Sequence, residues 1–141
     1  MLPEQRRLHR LQRLEQVRAI AKQAAAQDAA AAEGTLTQLQ ALAARTRSMA
    51  DDYRMEAGPS DGHTLRQRGL FVSGLSGISA LTSRDAAQAQ QLADRKQDEL
   101  ALAERRRAAV EGRAGASIRA LARQRNTAPL GARRAVGTDL D

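Results

Sequence analysis

Residues 64–81 read TLRQRGLFVSGLSGISAL, and this stretch decides how the rest of the chain is expected to fold. It follows the one cluster of Pro and Gly that interrupts the first two-thirds of the sequence. It also holds Phe71, the only Phe of a chain with one Tyr and no Trp. A chain so poor in aromatic residues cannot fill a thick globular core, so its large apolar side chains are expected to line a narrow seam between helices. We therefore expect residues 64–81 to mark the place where one helix folds back on another.

The composition of the 141 residues agrees with long helices. Ala, Leu, Arg, Gln and Glu dominate and strand-forming residues are scarce. The chain has no Cys, which excludes disulfides and thiolate metal sites and fits a cytoplasmic protein. It has no apolar run of the roughly 18 residues that a membrane-spanning helix needs, and no secretory signal pattern at its start. We expect a soluble, unprocessed protein.

The sequence GPSDGH at residues 58–63 separates two long helical segments. Pro3 suits the first turn of a helix, where its missing N–H needs no partner, and no further Pro occurs before Pro59. The first helix is therefore predicted over about 3–57. Gly, Pro, Ser and Asp then supply the residues of a short turn.

The second helix begins after this turn. Thr64 followed by Gln67 fits a capping box, in which two side chains satisfy free N–H groups at a helix start. The helix is predicted over about 64–126, beyond which the apolar periodicity is lost. Two helices of similar length joined by a short turn usually return alongside each other. The predicted fold is all-α: an antiparallel two-helix coiled-coil hairpin over residues 1–126, with a flexible, disordered C-terminal tail over 127–141.

Apolar residues recur at spacings of three and four along both predicted helices, which is typical of a coiled-coil seam. The predicted seam of the first helix consists of Leu8, Leu11, Leu14, Val17, Ala21, Ala24, Thr35/Leu36, Leu39, Leu42, Thr46, Met49 and Tyr53. That of the second consists of Leu65, Val72, Leu75, Ser79, Thr82, Ala86, Ala89, Ala93, Lys96, Leu100, Ala103, Arg107, Val110, Ala114, Ser117 and Leu121. Large residues such as Met49 and Val72 are expected to face each other near the ends, and Ala to face Ala in the middle.

The basic residues are concentrated in two segments. Residues 1–22 and 104–134 together hold 15 of the 23 basic and 4 of the 16 acidic side chains, a local balance of +11, against −4 for the rest of the chain. In a hairpin these segments lie together, and their charges add into one basic tip. Such a tip could bind nucleic acid or an acidic protein surface. Because no nucleic-acid motif or stacking aromatic residue accompanies it, nucleic acid is not the expected partner.

No group of residues suited to catalysis or cofactor binding is present in the sequence. His9 and His63 fall at opposite ends of the predicted hairpin, where two ordinary surface histidines are expected. There is no nucleophile paired with a base and no phosphate-binding glycine loop. The chain is predicted not to be an enzyme and to use no cofactor, metal or small-molecule substrate.

Three glycines, at positions 69, 74 and 77, are unusual inside a helix. Each costs on the order of 1 kcal/mol relative to Ala. Either the helix is weak beside the turn, or a partner approaches its backbone there.

Four features of the sequence occur together in one known family. They are LHRLQRLEQVR at 8–18, Gln38-Leu39 with Leu42, the polar turn at 58–63, and LRQRGLFVSGLSGI at 65–78. With these features the chain resembles the flagellar export protein FliJ and the related stalk proteins of type III secretion systems. The resemblance covers most of residues 5–125.

The resemblance implies a coiled-coil stalk or escort protein of flagellum biogenesis, type III protein secretion and chemotaxis. It would be cytoplasmic and peripheral at the inner face of the cell membrane. Its terminal end would enter the ring of the export ATPase, and its middle would contact the transmembrane export gate and cycle with export chaperones. By position, the gate contact is expected at Gln38, Leu42, Phe71, Leu75 and Ile78. The ATPase contact is expected at Arg6, Arg7, Leu8, Arg10, Leu11, Arg13, Arg106, Arg107, Val110 and Arg113.

Two other functions stay open at the level of sequence. One is a basic helical protein associated with nucleic acid, and the other is a generic structural coiled-coil adaptor that dimerises through exposed alanine faces.

Overall fold

A computed structural model of the chain describes residues 2–56 and 61–135, with side chains as far as Thr127. These residues form two α-helices and no strand: α1, Pro3–Met55, and α2, Gly62–Ala135. Ser79 of α2 contacts Ala43 of α1, and Phe71 contacts Tyr53, so residues further along α1 meet residues earlier in α2. The two helices therefore pack antiparallel, which confirms the predicted all-α hairpin.

The contacts divide the chain into two compact units. The central unit is Ala26–Glu99, and the terminal unit consists of the residues up to Ala25 and from Leu100 onward. Each unit contains one segment of α1 and one segment of α2.

The core of the central unit is thin and made of small side chains. Its buried cluster consists of Ala32, Leu36 and Ala93, with Ala89 packed against it. Ala93 is fully inaccessible to solvent. The Ser79 hydroxyl donates a hydrogen bond of 3.4 Å to the carbonyl oxygen of Ala43 on the other helix. A side chain as short as serine reaches that carbonyl only where the two backbones lie close together.

The seam of α2 follows the predicted spacing. Every predicted position from Val72 to Leu121 is buried or half-buried, and only Leu65 is exposed. The steps of three and four continue without interruption over this range. This regular spacing is the heptad pattern of a left-handed coiled coil.

The seam of α1 differs from the prediction by one residue at several positions. Leu8, Leu11, Leu36, Leu39 and Thr46 are buried or half-buried as expected. Six predicted residues are instead exposed, and the residue after each is turned inward; the exposed ones are Leu14, Val17, Ala21, Ala24, Leu42 and Met49, and the inward ones are Glu15, Arg18, Lys22, Ala25, Ala43 and Ala50. Tyr53 is exposed as well, and so is Arg54 after it. The inward residues keep α1 in an unbroken heptad phase, and phase rather than side-chain size decides which residues meet α2. The expectation that large residues face large residues was therefore wrong at Met49.

The helix ends also differ from the predicted bounds. α1 ends at Met55 rather than near residue 57, and α2 begins at Gly62 rather than at Thr64. The rest of the predicted turn, residues 57–60, lies outside the described residues. At its other end α2 continues past Pro129 to Ala135 instead of stopping near 126. The predicted flexible tail is thus helical as far as Ala135, and residues 136–141 lie outside the described residues.

Asp61 is the N-cap of α2. Its Oδ1 accepts a hydrogen bond of 2.8 Å from the backbone N–H of Thr64, and its carbonyl accepts one of 3.1 Å from Leu65. Thr64 therefore lies inside the first turn instead of capping it, because Asp is at least as good an N-cap as Thr. The hydrogen bonds from Thr64 lower the pKa of the Asp61 carboxyl.

The Asp61 cap predicts a small pH dependence of stability. Because its folded pKa lies below its unfolded value, the cap stabilises the fold above the unfolded pKa, and this stabilisation is lost as pH falls through the folded pKa. Asp61→Asn keeps the acceptor but removes the titrating group. We expect the melting temperatures of Asp61→Asn and the wild type to differ most near neutral pH and to converge in acid. Melting curves between about pH 2 and pH 7 measure this, and a difference that does not change with pH would contradict it.

Candidate binding surfaces

The two aromatic side chains of the chain meet at the edge of the seam in the central unit. The rings of Tyr53 and Phe71 lie 4.7 Å apart between centroids, at an interplanar angle of 64°, which is an edge-to-face contact. Tyr53 is 38% exposed and Phe71 is 46% exposed. The pair joins α1 to α2, yet each residue keeps more than a third of its surface exposed to solvent.

Helical spacing extends this pair into a larger apolar face. Leu42, Met49 and Tyr53 are separated by seven and four residues, so they share one side of α1. Phe71, Ile78 and Leu81 are separated by seven and three residues and share one side of α2. Because Tyr53 contacts Phe71, the two sides form the same surface. We call it the apolar face, and it consists of Leu42, Met49, Tyr53, Phe71, Ile78 and Leu81.

The apolar face is large for a hairpin of this size. Its six side chains are between 38% and 58% exposed. By comparison, the large apolar side chains that are buried in the described residues are Leu36, Val72 and Val110. Contiguous apolar patches of roughly 300–600 Å² on a single chain often mark binding sites. A surface of this composition is suited to contact an apolar surface of another protein.

The structure places most of the predicted gate-contact residues on or beside this face. Leu42, Phe71 and Ile78 belong to it, and Gln38 is exposed one helical turn before Leu42. Leu75 is half-buried in the seam, and its side chain is committed mainly to the contact between the helices.

The sequence prediction missed three members of the face, Met49, Tyr53 and Leu81, as binding residues. Met49 and Tyr53 had been assigned to the seam because they fit its spacing, and Leu81 had been assigned no role. The signal that could have identified Tyr53 is that it is the only Tyr in a chain with one Phe, since aromatic rings tend to pair. Two aromatic rings are too large for a seam lined by small side chains, so such a pair is expected at its edge.

The opposite edge of the seam is polar. Arg54 donates a hydrogen bond of 2.8 Å from Nη2 to Ser76 Oγ, and its Nη1 lies 3.3 Å from Asp51 Oδ1. A groove of about 400 Å³ there is lined by these residues together with Arg47 and Ser83. The two edges of the central unit therefore differ in chemistry, and only the edge with Tyr53 and Phe71 offers an apolar contact.

The glycines near the apolar face are not required by contacts within the chain. A Cβ added at Gly69, Gly74 or Gly77 would meet nothing within 4 Å, and none of these residues has a positive φ. All three lie within α2, which is helical throughout this stretch. No close approach of α1 therefore explains them.

Alanine at these glycines is expected to stabilise the protein. Gly74→Ala with Gly77→Ala should raise the free energy of unfolding by about 1–2 kcal/mol, because each Gly is less favourable than Ala in a helix and the added methyl groups meet open space. Thermal unfolding measures the gain.

Gly34→Ala is the matched control, since it also adds a methyl group in open space on a helix of the central unit. Both variants should be more stable than the wild type. If a partner approaches the backbone beside the apolar face, only the double variant should bind that partner more weakly. Equal binding by both would leave a weak helix near the turn as the explanation.

The terminal unit carries the basic surface. Of the residues predicted to contact the ATPase, Arg6, Arg7, Arg10, Arg13, Arg106 and Arg113 are exposed. Leu8 and Leu11 are half-buried and Val110 is buried, so these three serve the seam between the helices. Among the described side chains the ion pairs are Arg54 with Asp51 and Lys96 with Glu99, both in the central unit. The exposed arginines of the terminal unit thus have no carboxylate partner within the described part of the chain.

One seam layer of the terminal unit contains two arginines. Arg18 of α1 and Arg107 of α2 are both half-buried, and the Nε atom of each is inaccessible to solvent and has no hydrogen-bond partner. Arg107 had been predicted both as a seam position and as a contact to the ATPase. Arg18 had not been singled out, because the predicted seam passed through Val17.

The described residues contain no group of three or more His, Cys, Asp or Glu side chains placed to hold a metal ion. His9 and His63 are exposed and belong to different units. Neither described helix has a stretch long and apolar enough to cross a membrane.

No protein-family model matches the chain, and searches of curated proteins and of solved structures gave no match. The fold defines the class of protein: an antiparallel two-helix coiled coil with an apolar face in one unit and a basic surface in the other.

Proposed function

We propose that the chain is a non-enzymatic stalk or escort component of flagellar type III protein export. In this proposal the apolar face of the central unit binds the export gate or export chaperones. The basic surface of the terminal unit binds the ring of the export ATPase. The protein acts in the cytoplasm and is held at the inner face of the membrane by these partners.

The observation that carries the proposal is the exposure of Phe71. The resemblance to FliJ rests most specifically on the stretch around this residue. In the fold it lies at the edge of the seam, where it contacts the Tyr53 ring of α1 and is 46% exposed. Exposed aromatic residues surrounded by aliphatic ones are typical of the residues that dominate binding energy at protein interfaces. A partner surface with a pocket for this ring is the simplest use of the apolar face.

The terminal unit supports the second contact by its charge. A surface with many unpaired arginines speeds association with an acidic partner and favours it over neutral or basic ones. Arginine also pairs with carboxylates through two parallel hydrogen bonds. An acidic lining of a protein ring would meet both conditions.

The proposal is tested by mixing the purified chain with the export ATPase and measuring ATP hydrolysis and ring assembly. We expect the chain to bind the ATPase and to raise its hydrolysis rate, most strongly at low salt because the contact is electrostatic. Duplex DNA is the control ligand. Tight DNA binding that weakens steeply with salt, together with no effect on hydrolysis, would replace the proposal with a nucleic-acid function.

A further inference from the structure

The layer formed by Arg18 and Arg107 does not fit the seam in which it lies. The terminal unit also has apolar layer residues such as Leu11, Val110 and Ala114, whereas the inward row of α1 on either side of Arg18 holds Glu15 and Lys22. Arg18 and Arg107 occupy the same kind of position on the two facing helices. Two cations in one layer repel each other, and they hold the helices together less well than two leucines would.

The position of the two arginines in the heptads brings them to one level of the hairpin. Burial in α1 passes from Leu11 through Glu15 to Arg18, and in α2 from Arg107 through Val110 to Ala114, with the same steps in opposite directions. Leu11 and Ala114, Glu15 and Val110, and Arg18 and Arg107 are thus successive facing pairs.

The polar atoms of this layer lack a counter-ion. The two buried Nε atoms have no hydrogen-bond partner, and neither ion pair among the described side chains lies in the terminal unit. Arginine side chains in such positions lay their stems along the seam and direct the guanidinium towards its edge. Two guanidinium groups from facing helices can then converge on one oxyanion, each supplying a planar fork of N–H donors.

We infer that the Arg18–Arg107 layer is a recognition site for a carboxylate group on an acidic segment of a partner protein. The inference rests on the proposed function in that the terminal unit docks onto a protein. It adds that the docking includes one defined site within the seam and not only a diffuse basic surface. A bound carboxylate would accept hydrogen bonds from the Nη groups of both side chains and offset their two charges, so binding would also tighten the pairing of the helices in this unit.

The test uses the full chain and a fluorescent peptide of alternating Glu and Ala, with affinity measured by anisotropy at constant ionic strength. Arg18→Gln with Arg107→Gln is compared with Arg105→Gln and Arg123→Gln, which remove the same charge from exposed positions of the same unit. We expect the seam variant to bind at least about tenfold more weakly and the exposed variant to lose no more than about threefold. Equal losses in the two variants, or no binding by the wild type, would overturn the inference.

A second variant separates the geometry of the site from its charge. Arg18→Lys with Arg107→Lys keeps both charges but replaces each fork by a single ammonium group. We expect it to lose most of the affinity that the Gln variant loses, and affinity equal to that of the wild type would overturn the inference. Circular dichroism confirms that each variant is folded.

Inorganic phosphate serves as competitor, and displacement of the peptide at a phosphate concentration below that of the peptide would overturn the assignment to a carboxylate.

These measurements need no ATPase. If the chain does not bind the peptide, the proposed role in export is unaffected. If the chain does not stimulate ATP hydrolysis, the peptide titration still decides whether Arg18 and Arg107 bind a carboxylate.

Discussion

Replacing Ala93 by Asp is expected to destabilise the hairpin by about 3–5 kcal/mol, the largest single-residue effect that we predict for its stability. Ala93 is fully inaccessible and packs in the cluster with Ala32, Leu36 and Ala89. The residues of this cluster offer no hydrogen-bond donor from a side chain. A carboxylate there would be buried without a partner, and its extra volume would push apart two helices that lie close together.

The loss should appear as a fall in melting temperature of roughly 10 °C or more, measured by circular dichroism at the wavelength of helix. Ala87→Asp is the control, because Ala87 is an exposed alanine of the same helix and unit. It should cost only about 0.5 kcal/mol, which is the difference in helix propensity. Similar melting temperatures for the two variants would show that Ala93 does not lie in a tight seam.

Replacing Phe71 by Ser is expected to have the largest effect on binding. Removing an aromatic residue at the centre of an interface commonly costs 2 kcal/mol or more, so affinity for the gate or chaperone partner should fall by about 30-fold or more. Stability should change much less, by about 0.5–1.5 kcal/mol, because the side chain is 46% exposed and its main contact within the chain is with the Tyr53 ring.

Leu92→Ser is the matched control for this prediction. Leu92 is 42% exposed on the same helix, in the same unit and on the same side as Phe71. It lies about 30 Å further along the helix axis, beyond the last residue of the apolar face. Calorimetric titration of each variant with the cytoplasmic domain of the gate protein, and with a chaperone, gives the affinities. If Leu92→Ser weakened binding as much as Phe71→Ser, the partner would recognise general hydrophobicity and not the apolar face.

The seam of α2 could be predicted from the sequence, whereas that of α1 could be predicted only in part. In α2 the large residues Val72 and Val110 occupy the heptad positions that the helix turns inward, so size and phase agree. In α1 the large residues Leu14, Val17 and Met49 stand one position before the inward one. An inward row that includes Glu15, Arg18 and Ala50 has little hydrophobic contrast with its surroundings. Packing against α2 therefore determines which row of α1 residues faces inward.

The weak hydrophobic contrast between the seam of α1 and its edge also affected the prediction of the binding residues. Phe71 and Ile78 were assigned to a partner surface through the resemblance, and the structure leaves both exposed. Tyr53 and Met49 were assigned to the seam, because a spacing of three and four suits a seam and its edge equally well. Leu75 was assigned both to the seam and to the partner surface, and it is half-buried between the helices. Met49 is one residue out of phase with the inward Ala50, whereas Tyr53 continues the inward row and is still exposed. Both outcomes depend on contacts between the helices that a single sequence does not contain.

The central claim is that two separate surfaces of one coiled coil bind two different partners. It is tested most directly by measuring both affinities for two variants: Phe71→Ser in the apolar face, and Arg6→Glu with Arg10→Glu and Arg13→Glu on the basic surface. We expect Phe71→Ser to lose the gate partner and to keep the ATPase. We expect the arginine variant to lose the ATPase and to keep the gate partner. Loss of both partners in either variant, or of neither in both, would contradict it.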